Sequence, residues 1–401
     1  MLDINVWAAI GFILAAYAVV GNDALQTLGT FITSNSRLHW SVLFAFASII
    51  LVATFTYGYF QSYGEVIGPG GEILEGVGDP SFGRLDNAKK YPVFHVEWFH
   101  TLPALGLLIL TRFGIPVSTS FMVLAVFATI DGLSSMIKKS LIGYGLAFAV
   151  GIVLYCVLAN TAEKFFRKNK DTQHRKHWIA LQWISTTWLW SVWLMQDFAN
   201  IFVFLPRQLA PAEALAGLAV ILALLGITFA NHGGPVQRVL KTKTAVADIR
   251  SATIIDLAFA GLLYYFKERS KIPMSTTWVF LGLIAGREYA FAMMTESRGL
   301  MLVTKIAVGD LAKALLGLIL SIDMARGLPW LAEGLKGGPR AFVVQDLYGG
   351  EPTTMWFLVL ANALLIPVAV FLFRPRRSTS FFMMASVAVA TLMFFQSGPY
   401  G

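Results

Sequence analysis

Residues 38–60 read LHWSVLFAFASIILVATFTYGYF, a run that contains no Asp, Glu, Lys or Arg. Crossing the hydrocarbon core of a bilayer as a helix takes about 20 apolar residues, so this one stretch is long enough. A membrane strand would instead show alternating segments of about 10 residues, and the run does not alternate. Comparable runs recur at 141–161 and 209–230. With 56% hydrophobic and 13% charged residues among 401, most of the surface is not built for water. The chain is expected to be an all-α polytopic membrane protein.

The formal charge of +8 does not point to nucleic acid, because the Lys and Arg residues cluster between apolar runs. There they fit the topology of a membrane protein and contact with anionic lipid headgroups. Cys156 stands alone in an apolar run with no second thiol to pair with and reads as an inert buried group. The start, Met1-Leu2-Asp3, is acidic and leads straight into apolar sequence, so a first helix rather than a cleaved signal is expected to direct insertion.

Outward from residues 38–60, the pattern repeats. Crossings are expected at 5–33, 38–60 and 141–165, with two shorter apolar pieces at 96–110 and 118–130, broken at Gly114-Ile115-Pro116. Each piece is too short to span alone, so a re-entrant hairpin is predicted. The order then returns: crossings at 178–204 and 209–230, short pieces at 253–265 and 275–291 split at Pro273, and a crossing at 300–320. The expected units are therefore a first repeat over 1–165 with its hairpin near 94–130, a basic linker at 166–177, and a second repeat over 178–322 with its hairpin near 251–292. Residues 323–401 hold a loop and two extra crossings, at 353–373 and 380–395.

Three basic clusters orient the chain: Arg167, Lys168, Lys170, Arg175 and Lys176; Arg238, Lys241, Lys243 and Arg250; and Arg374, Arg376 and Arg377. They share the cytoplasmic side if each repeat crosses an odd number of times. The two repeats are then inverted, and both termini lie outside a plasma (inner) membrane. Lys138 and Lys139 fall on the wrong side of this scheme.

Four polar clusters sit where hydrocarbon penalises them. Gly21-Asn22-Asp23-Ala24-Leu25-Gln26-Thr27 and Gln196-Asp197-Phe198-Ala199-Asn200 lie deep in the opening crossing of each half, and Pro116-Val117-Ser118-Thr119-Ser120 and Pro273-Met274-Ser275-Thr276-Thr277 open the second arm of each hairpin. A charged residue at a helix centre costs about 2.5–3.5 kcal/mol on insertion scales. Single Ser or Thr hydroxyls in such helices commonly bond their own backbone, but Asp23 and Asp197 are harder to assign to structure alone.

Proline suits the first turn of a helix, and a helix that starts inside the membrane aims free N–H groups and a positive dipole end at the site. Ser118, Thr119, Ser120, Ser275, Thr276 and Thr277 would add hydroxyl donors for a small oxyanion. Asn22, Asp23, Gln26, Gln196, Asp197 and Asn200 supply oxygen ligands for a small cation, and Glu97 and Asp256 form a further candidate pair. Carrying one negative charge inward against 100 mV costs about 2.3 kcal/mol, and a dianion twice that, so co-transported cations would offset the penalty.

Other charged sets read as structural: Lys305, Asp310 and Lys313 on one helix face, and Arg287 with Glu288. His95 and His100 flank Glu97 without enough further ligands for a metal site. Trp183, Trp188 and Trp190 are expected in interfacial belts.

The paired Asn-Asp and Pro-x-Ser-Thr motifs, over roughly residues 15–295, resemble the inorganic phosphate transporter (PiT) family of cation-coupled symporters. Gly64-Glu65-Val66-Ile67 and Gly234-Pro235-Val236-Gln237-Arg238-Val239 look like that family's glycine-valine segments. The resemblance implies one phosphate held near the midplane, with sodium bound beside it in most relatives and protons used in some. Asp23 and Asp197 would hold the sodium where sodium is the driving ion, with no resident cofactor, no enzyme activity and a homodimer as an admissible assembly. The chain departs from the family at Phe121 and Trp278, where histidine is frequent, and at Gln26 and Gln196, where asparagine is usual. Sulfate or another oxyanion is the alternative substrate. An intramembrane protease with Asp23 and Asp197 as its dyad is a lower alternative, because it leaves the two Ser-Thr hairpins without a role.

Overall fold

The computed structural model describes residues 4–67, 73–93, 95–112, 117–158, 176–231, 249–269, 271–295 and 299–335. These form helices α1 (Val6–Ala18), α2 (Ala24–Ser34), α3 (Trp40–Gln61), α4 (Trp98–Arg112), α5 (Thr119–Leu124), α6 (Ile130–Leu158), α7 (Lys176–Phe202), α8 (Pro211–Ala230), α9 (Ile249–Arg269), α10 (Thr276–Thr295) and α11 (Leu300–Leu335). A hairpin of β1 (Gly64–Ile67) and β2 (Ile73–Val77) pairs Gly64 with Val77 and Val66 with Leu74. The expected crossings at 353–373 and 380–395, the break at 114–116, the clusters at 167–175 and 374–377, Arg238, Lys241 and Lys243, and the segment 234–239 lie outside the described residues.

Among the described residues, three helices are long and apolar enough to cross a membrane: Trp40–Gln61, Ile130–Val157 and Pro211–Ala230. Their outer faces carry large apolar side chains in the open, such as Ile49 at 70%, Val153 at 64% and Leu215 at 65% exposed. Faces of this kind suit lipid rather than water.

Local chemistry sets the helix starts. Asn5 Oδ1 accepts from Ala8 N at 2.8 Å and caps α1; the Glu213 carboxylate accepts from Ala210 N at 3.0 Å beside Pro211, the first residue of α8, an arrangement that satisfies one of the free N–H groups. Between α1 and α2 the chain widens into a π-helical turn over Val19–Asp23. One extra residue is accommodated there, a distortion that concentrates at functional sites.

The expected boundaries need correction in three places. The piece expected as the second arm of the first hairpin is the six-residue α5 and does not reach residue 130. The next crossing begins at Ile130 rather than 141, because the chain reverses over 125–129, where Thr129 N donates to Lys90 O at 2.9 Å. Gly132 permits this approach: a Cβ there would stand 2.6 Å from Lys90 O. The two pieces expected to form the second hairpin are longer than their apolar cores suggested, 21 residues in α9 and 20 in α10. At 1.5 Å per residue each is about 30 Å long, enough by length alone to cross. Apolar counting stopped at Arg250 and at Lys267, but a helix continues through such residues.

Packing follows matched pairs. α4 lies on α1 as α9 lies on α7; α10 packs most extensively on α6, as α5 packs on α11; and α3 meets α7 as α8 meets α1. The α6–α10 seam is made close by small residues. Gly282 and Gly286 on α10 face Tyr144 O and Phe148 O at hypothetical Cβ distances of 2.4 and 2.2 Å, and Gly151 on α6 faces Leu283 O at 2.6 Å. Backbones in lipid associate through such surfaces.

One end of the bundle gathers Asn5, Val96, Tyr59, Gly78 and Leu209: Asn5 Nδ2 donates to Val96 O at 2.8 Å, Tyr59 Oη donates to Leu209 O at 3.1 Å, and Gly78 and Leu209 form a β-bridge. The other end gathers Ser34, Asn35 and Gln182. Asn35 Nδ2 donates to Gln182 Oε1 at 2.9 Å, and Gln182 Nε2 donates to Ser34 Oγ.

Of the charged sets expected within α10 and α11, Arg287 pairs with Glu288 and Lys313 with Asp310, both at 3.6 Å, while Lys305 belongs to neither of these pairs. Trp190 contradicts its expected place at the interface. It is fully buried, stacked on Trp193 at 5.0 Å, with Nε1 donating to Ala47 O. Its one polar atom finds a main-chain partner, so the ring has no need of water.

Candidate ion and anion site

Asp197 is the centre of the polar cluster. Its carboxylate accepts from Asn200 Nδ2 at 2.6 Å and from Thr276 Oγ1 at 3.2 Å. Asn200 Nδ2 also donates to Ser120 Oγ at 3.2 Å, and that hydroxyl donates to Met274 O at 3.0 Å. The chain of bonds therefore joins α7 to the starts of α5 and α10. Asp197, Asn200, Ser120 and Thr276 are all buried. Asp23, buried at the end of the π-helical turn, is within electrostatic reach of Asp197, as two cation ligands would need to be.

The serines that open the two arms have the same task. Ser118 Oγ accepts from Phe121 N at 3.3 Å, and Ser275 Oγ accepts from Trp278 N at 3.2 Å; both are helix caps. Ser275 N in turn donates to Ser140 Oγ at 2.9 Å. The two helix ends are unequal, since α5 has only six residues and α10 has twenty. Of the two helix ends, the α10 N-terminus carries the fuller dipole.

Several polar atoms of the cluster are buried without a hydrogen-bond partner among the described residues: Thr119 Oγ1, Thr277 Oγ1, Asn200 Oδ1 and Gln196 Oε1. Folded proteins satisfy nearly all such atoms, so each of the four keeps bonding capacity that a ligand could use. Their chemistry splits two ways. Hydroxyls can donate to an anion, whereas amide oxygens accept only and suit a cation. Gln196 is held in place by Nε2 donating to Leu263 O at 3.2 Å.

The remaining expected residues lie elsewhere. Asp256 accepts from Thr30 Oγ1 at 2.7 Å and Thr186 Oγ1 at 2.6 Å, joining α9 to α2 and α7. Glu97 precedes α4 and is half-buried, with its N–H donating to His100 Nδ1 at 3.0 Å. It does not mirror Asp256, which is fully buried within α9. The side chains of Asn22 and Gln26 lie outside the described residues.

Two cationic residues at this site were not anticipated. Arg84, in the loop after β2, is 4% exposed; Nε donates to Met195 O at 2.7 Å and Nη1 to Lys271 O at 3.3 Å, within electrostatic reach of Asp197. Desolvation lowers its pKa to about 10, so the guanidinium stays charged at neutral pH. Lys139 on α6 is 9% exposed, and Nζ donates to Ile272 O at 2.6 Å. The Lys139 side chain thus turns inward, to the segment just before α10.

The loop that carries Arg84 is organised by Asp79, whose carboxylate accepts from Ser81 N at 2.7 Å, Ser81 Oγ at 2.8 Å and Gly83 N at 2.8 Å. Burial raises the Asp79 pKa in spite of these bonds. Phe82 and Gly83 follow with φ of 61° and 65°, a conformation that costs a non-glycine residue about 1–2 kcal/mol. The Phe82 ring is fixed over Gly58, where a Cβ would stand 2.6 Å from it.

The chain matches no family model, no curated protein and no solved structure.

Proposed function

We propose that this protein is a secondary active symporter that carries inorganic phosphate across a membrane with sodium or protons, sulfate being the nearest alternative substrate. One observation carries the reading: hydrogen bonds through Asp197 and Asn200 join α7 to both Ser-Thr helix starts, at Ser120 and Thr276, and Thr119, Thr277, Asn200 and Gln196 on those same elements each keep a buried oxygen without a partner. Donors for an anion and acceptors for a cation thus lie on elements bonded to one another, as coupling requires. Asp23 and Asp197 are the cation ligands; Ser118, Thr119, Ser120, Ser275, Thr276 and Thr277 surround the oxyanion, with Ser118 and Ser275 shaping the helix starts.

The matched packing of α4 on α1 with α9 on α7, and of α10 on α6 with α5 on α11, supports two inverted repeats whose hairpins exchange between halves. The residues gathered at the two ends of the bundle fit the same topology: Asn5, the 78–97 loop and the α7–α8 turn share the outer side, and Asn35 and Gln182 the inner. Alternating access then moves one half against the other around Asp197. An aspartyl protease with Asp23 and Asp197 as its dyad remains the competing class, and it gives no task to Thr119 or Thr277.

The test is uptake of labelled phosphate into proteoliposomes under an inward sodium gradient and, separately, an inward proton gradient, with unlabelled sulfate as competitor. Gradient-dependent uptake of phosphate is expected. Uptake blocked by sulfate reassigns the substrate, and no uptake of either anion under either gradient contradicts the reading.

A further inference from the structure

Beside the junction of Asn5 with Val96, at one end of the bundle, lies a cavity of about 170 Å³. Its wall draws on four separate segments: the start of α1, residues 93–96, the chain after α5 and the chain after α7. Ala8, Phe127, Val203 and Phe204 line it and are buried, whereas Ile4 and Val93 line it and are exposed. The first four therefore make an apolar floor, and the last two a mouth. A dry cavity of about 150 Å³ takes up benzene, so this one has room for a body of that size.

Three polar side chains interrupt the apolar wall: Asn5, His95 and Arg207. Asn5 is already committed. Its Oδ1 accepts from Ala8 N, and Nδ2 is bonded to Val96 O at 2.8 Å and to His95 Nε2 at 3.2 Å. An amide nitrogen only donates, so His95 Nε2 accepts there. Arg207 is not committed. Among the described residues its one hydrogen bond runs from Nη1 to Val203 O at 3.3 Å, and Nε is buried without a partner. A guanidinium carries five N–H donors, so most of this one's capacity is unused. Desolvation lowers its pKa to about 10, which leaves it charged at neutral pH. Asp79 and Asp86 are within electrostatic reach, yet neither takes Nε, and the Asp79 carboxylate is already bonded to Ser81 and Gly83.

The open donor and the apolar floor together define a ligand. A carboxylate matches the planar guanidinium fork with its two oxygens. A bare phosphate or sulfate ion would have to shed water against hydrocarbon, with no bond to replace it there. A carboxylate on a small ring or branched chain instead buries that body and keeps its charge at Arg207.

We infer that this cavity is a binding site for a small organic carboxylate with a compact apolar body, its oxygens on Arg207 and its body against Phe127, Val203 and Phe204. The site shares no residue with the Asp197 cluster, and it does not rest on the transport reading.

The test is binding of labelled benzoate to the purified full chain in detergent, with unlabelled benzoate, benzamide and inorganic phosphate as competitors and melting temperature as a second reading. Saturable binding is expected, displaced by benzoate but not by benzamide or phosphate. The melting temperature rises with it, because a ligand of the folded state alone stabilises that state. Arg207→Gln keeps a donor and removes the charge; it is expected to weaken binding on the order of tenfold to a hundredfold. Ala8→Leu fills the floor and is expected to abolish binding with Arg207 intact. The inference is overturned by benzoate that partitions without saturation, that benzamide or phosphate displaces equally well, or that a folded Arg207→Gln variant binds as tightly as wild type. If Arg207→Gln melts early, Arg207→Lys and Ala8→Leu decide. Binding kept in part by the first and lost in the second supports the site, and undiminished binding in Ala8→Leu overturns it.

Discussion

Thr276 Oγ1 donates to the Asp197 carboxylate across 3.2 Å, so the first residue of α10 is bonded to a charge on α7. The same carboxylate holds Asn200, which holds Ser120 at the start of the other hairpin arm. An ion arriving at Asp197 would therefore change the hydrogen bonding of both helix starts, which is how the proposed transport would couple cation to anion.

Thr276→Val removes that donor and leaves the α7 carboxylate less satisfied. A hydrogen bond to a charged group contributes about 1.5–3 kcal/mol, so apparent cation affinity is expected to change on the order of tenfold or more. Uptake measured against sodium concentration and against pH checks this; an unchanged cation dependence contradicts it.

Asp256 joins α9 to α2 through Thr30 and to α7 through Thr186. Thr186→Val, which leaves one carboxylate oxygen buried without its donor, is expected to cost about 1–3 kcal/mol and to lower the melting temperature by a few degrees. A thermal melt in detergent reads it, and an unshifted midpoint would show that this bond does not hold the helices together.

At the α6–α10 seam, Gly286→Ala would place a methyl 2.2 Å from Phe148 O. Backbone must move, at a cost of about 1–3 kcal/mol. Gly145→Ala is the control, since nothing lies within 4 Å of its Cβ position; it is expected to be neutral within about 0.5 kcal/mol. Equal stability of the two variants would remove the close seam from the account.

Asp79→Ala deletes the acceptor for Ser81 N, Ser81 Oγ and Gly83 N. The strained Phe82–Gly83 turn loses its support and Arg84 its bearing. Faster proteolytic cleavage within 78–91 is expected, with oxyanion uptake reduced several-fold. Cleavage at the wild-type rate would show that Asp79 does not organise the loop.

What the sequence made legible follows from where polarity is expensive. Asp23 and Asp197 stand out because a carboxylate within an apolar run demands a reason, and Ser275 and Thr276 because they follow a proline at a helix start. Arg84 gave no such signal: it lies in a polar loop, where arginine breaks no expectation, and only the fold carries it to Met195. Lys139 did break an expectation but registered as a fault of topology rather than as a buried cation. The helix lengths were misjudged because Arg250, which the helix tolerates, ends an apolar count. Gly282-x-x-x-Gly286 was present to be read, yet its partner Gly151 is 131 residues away and only packing joins them.

The central claim is coupled, accumulative transport through the Asp197 cluster. Its most direct test is the ratio of internal to external labelled phosphate in proteoliposomes held under a cation gradient, before and after an ionophore collapses that gradient, with Asp197→Asn alongside. A ratio that rises above equilibrium, falls on collapse and is absent in the variant is the predicted result. A ratio that never exceeds equilibrium, or that Asp197→Asn leaves unchanged, would contradict it.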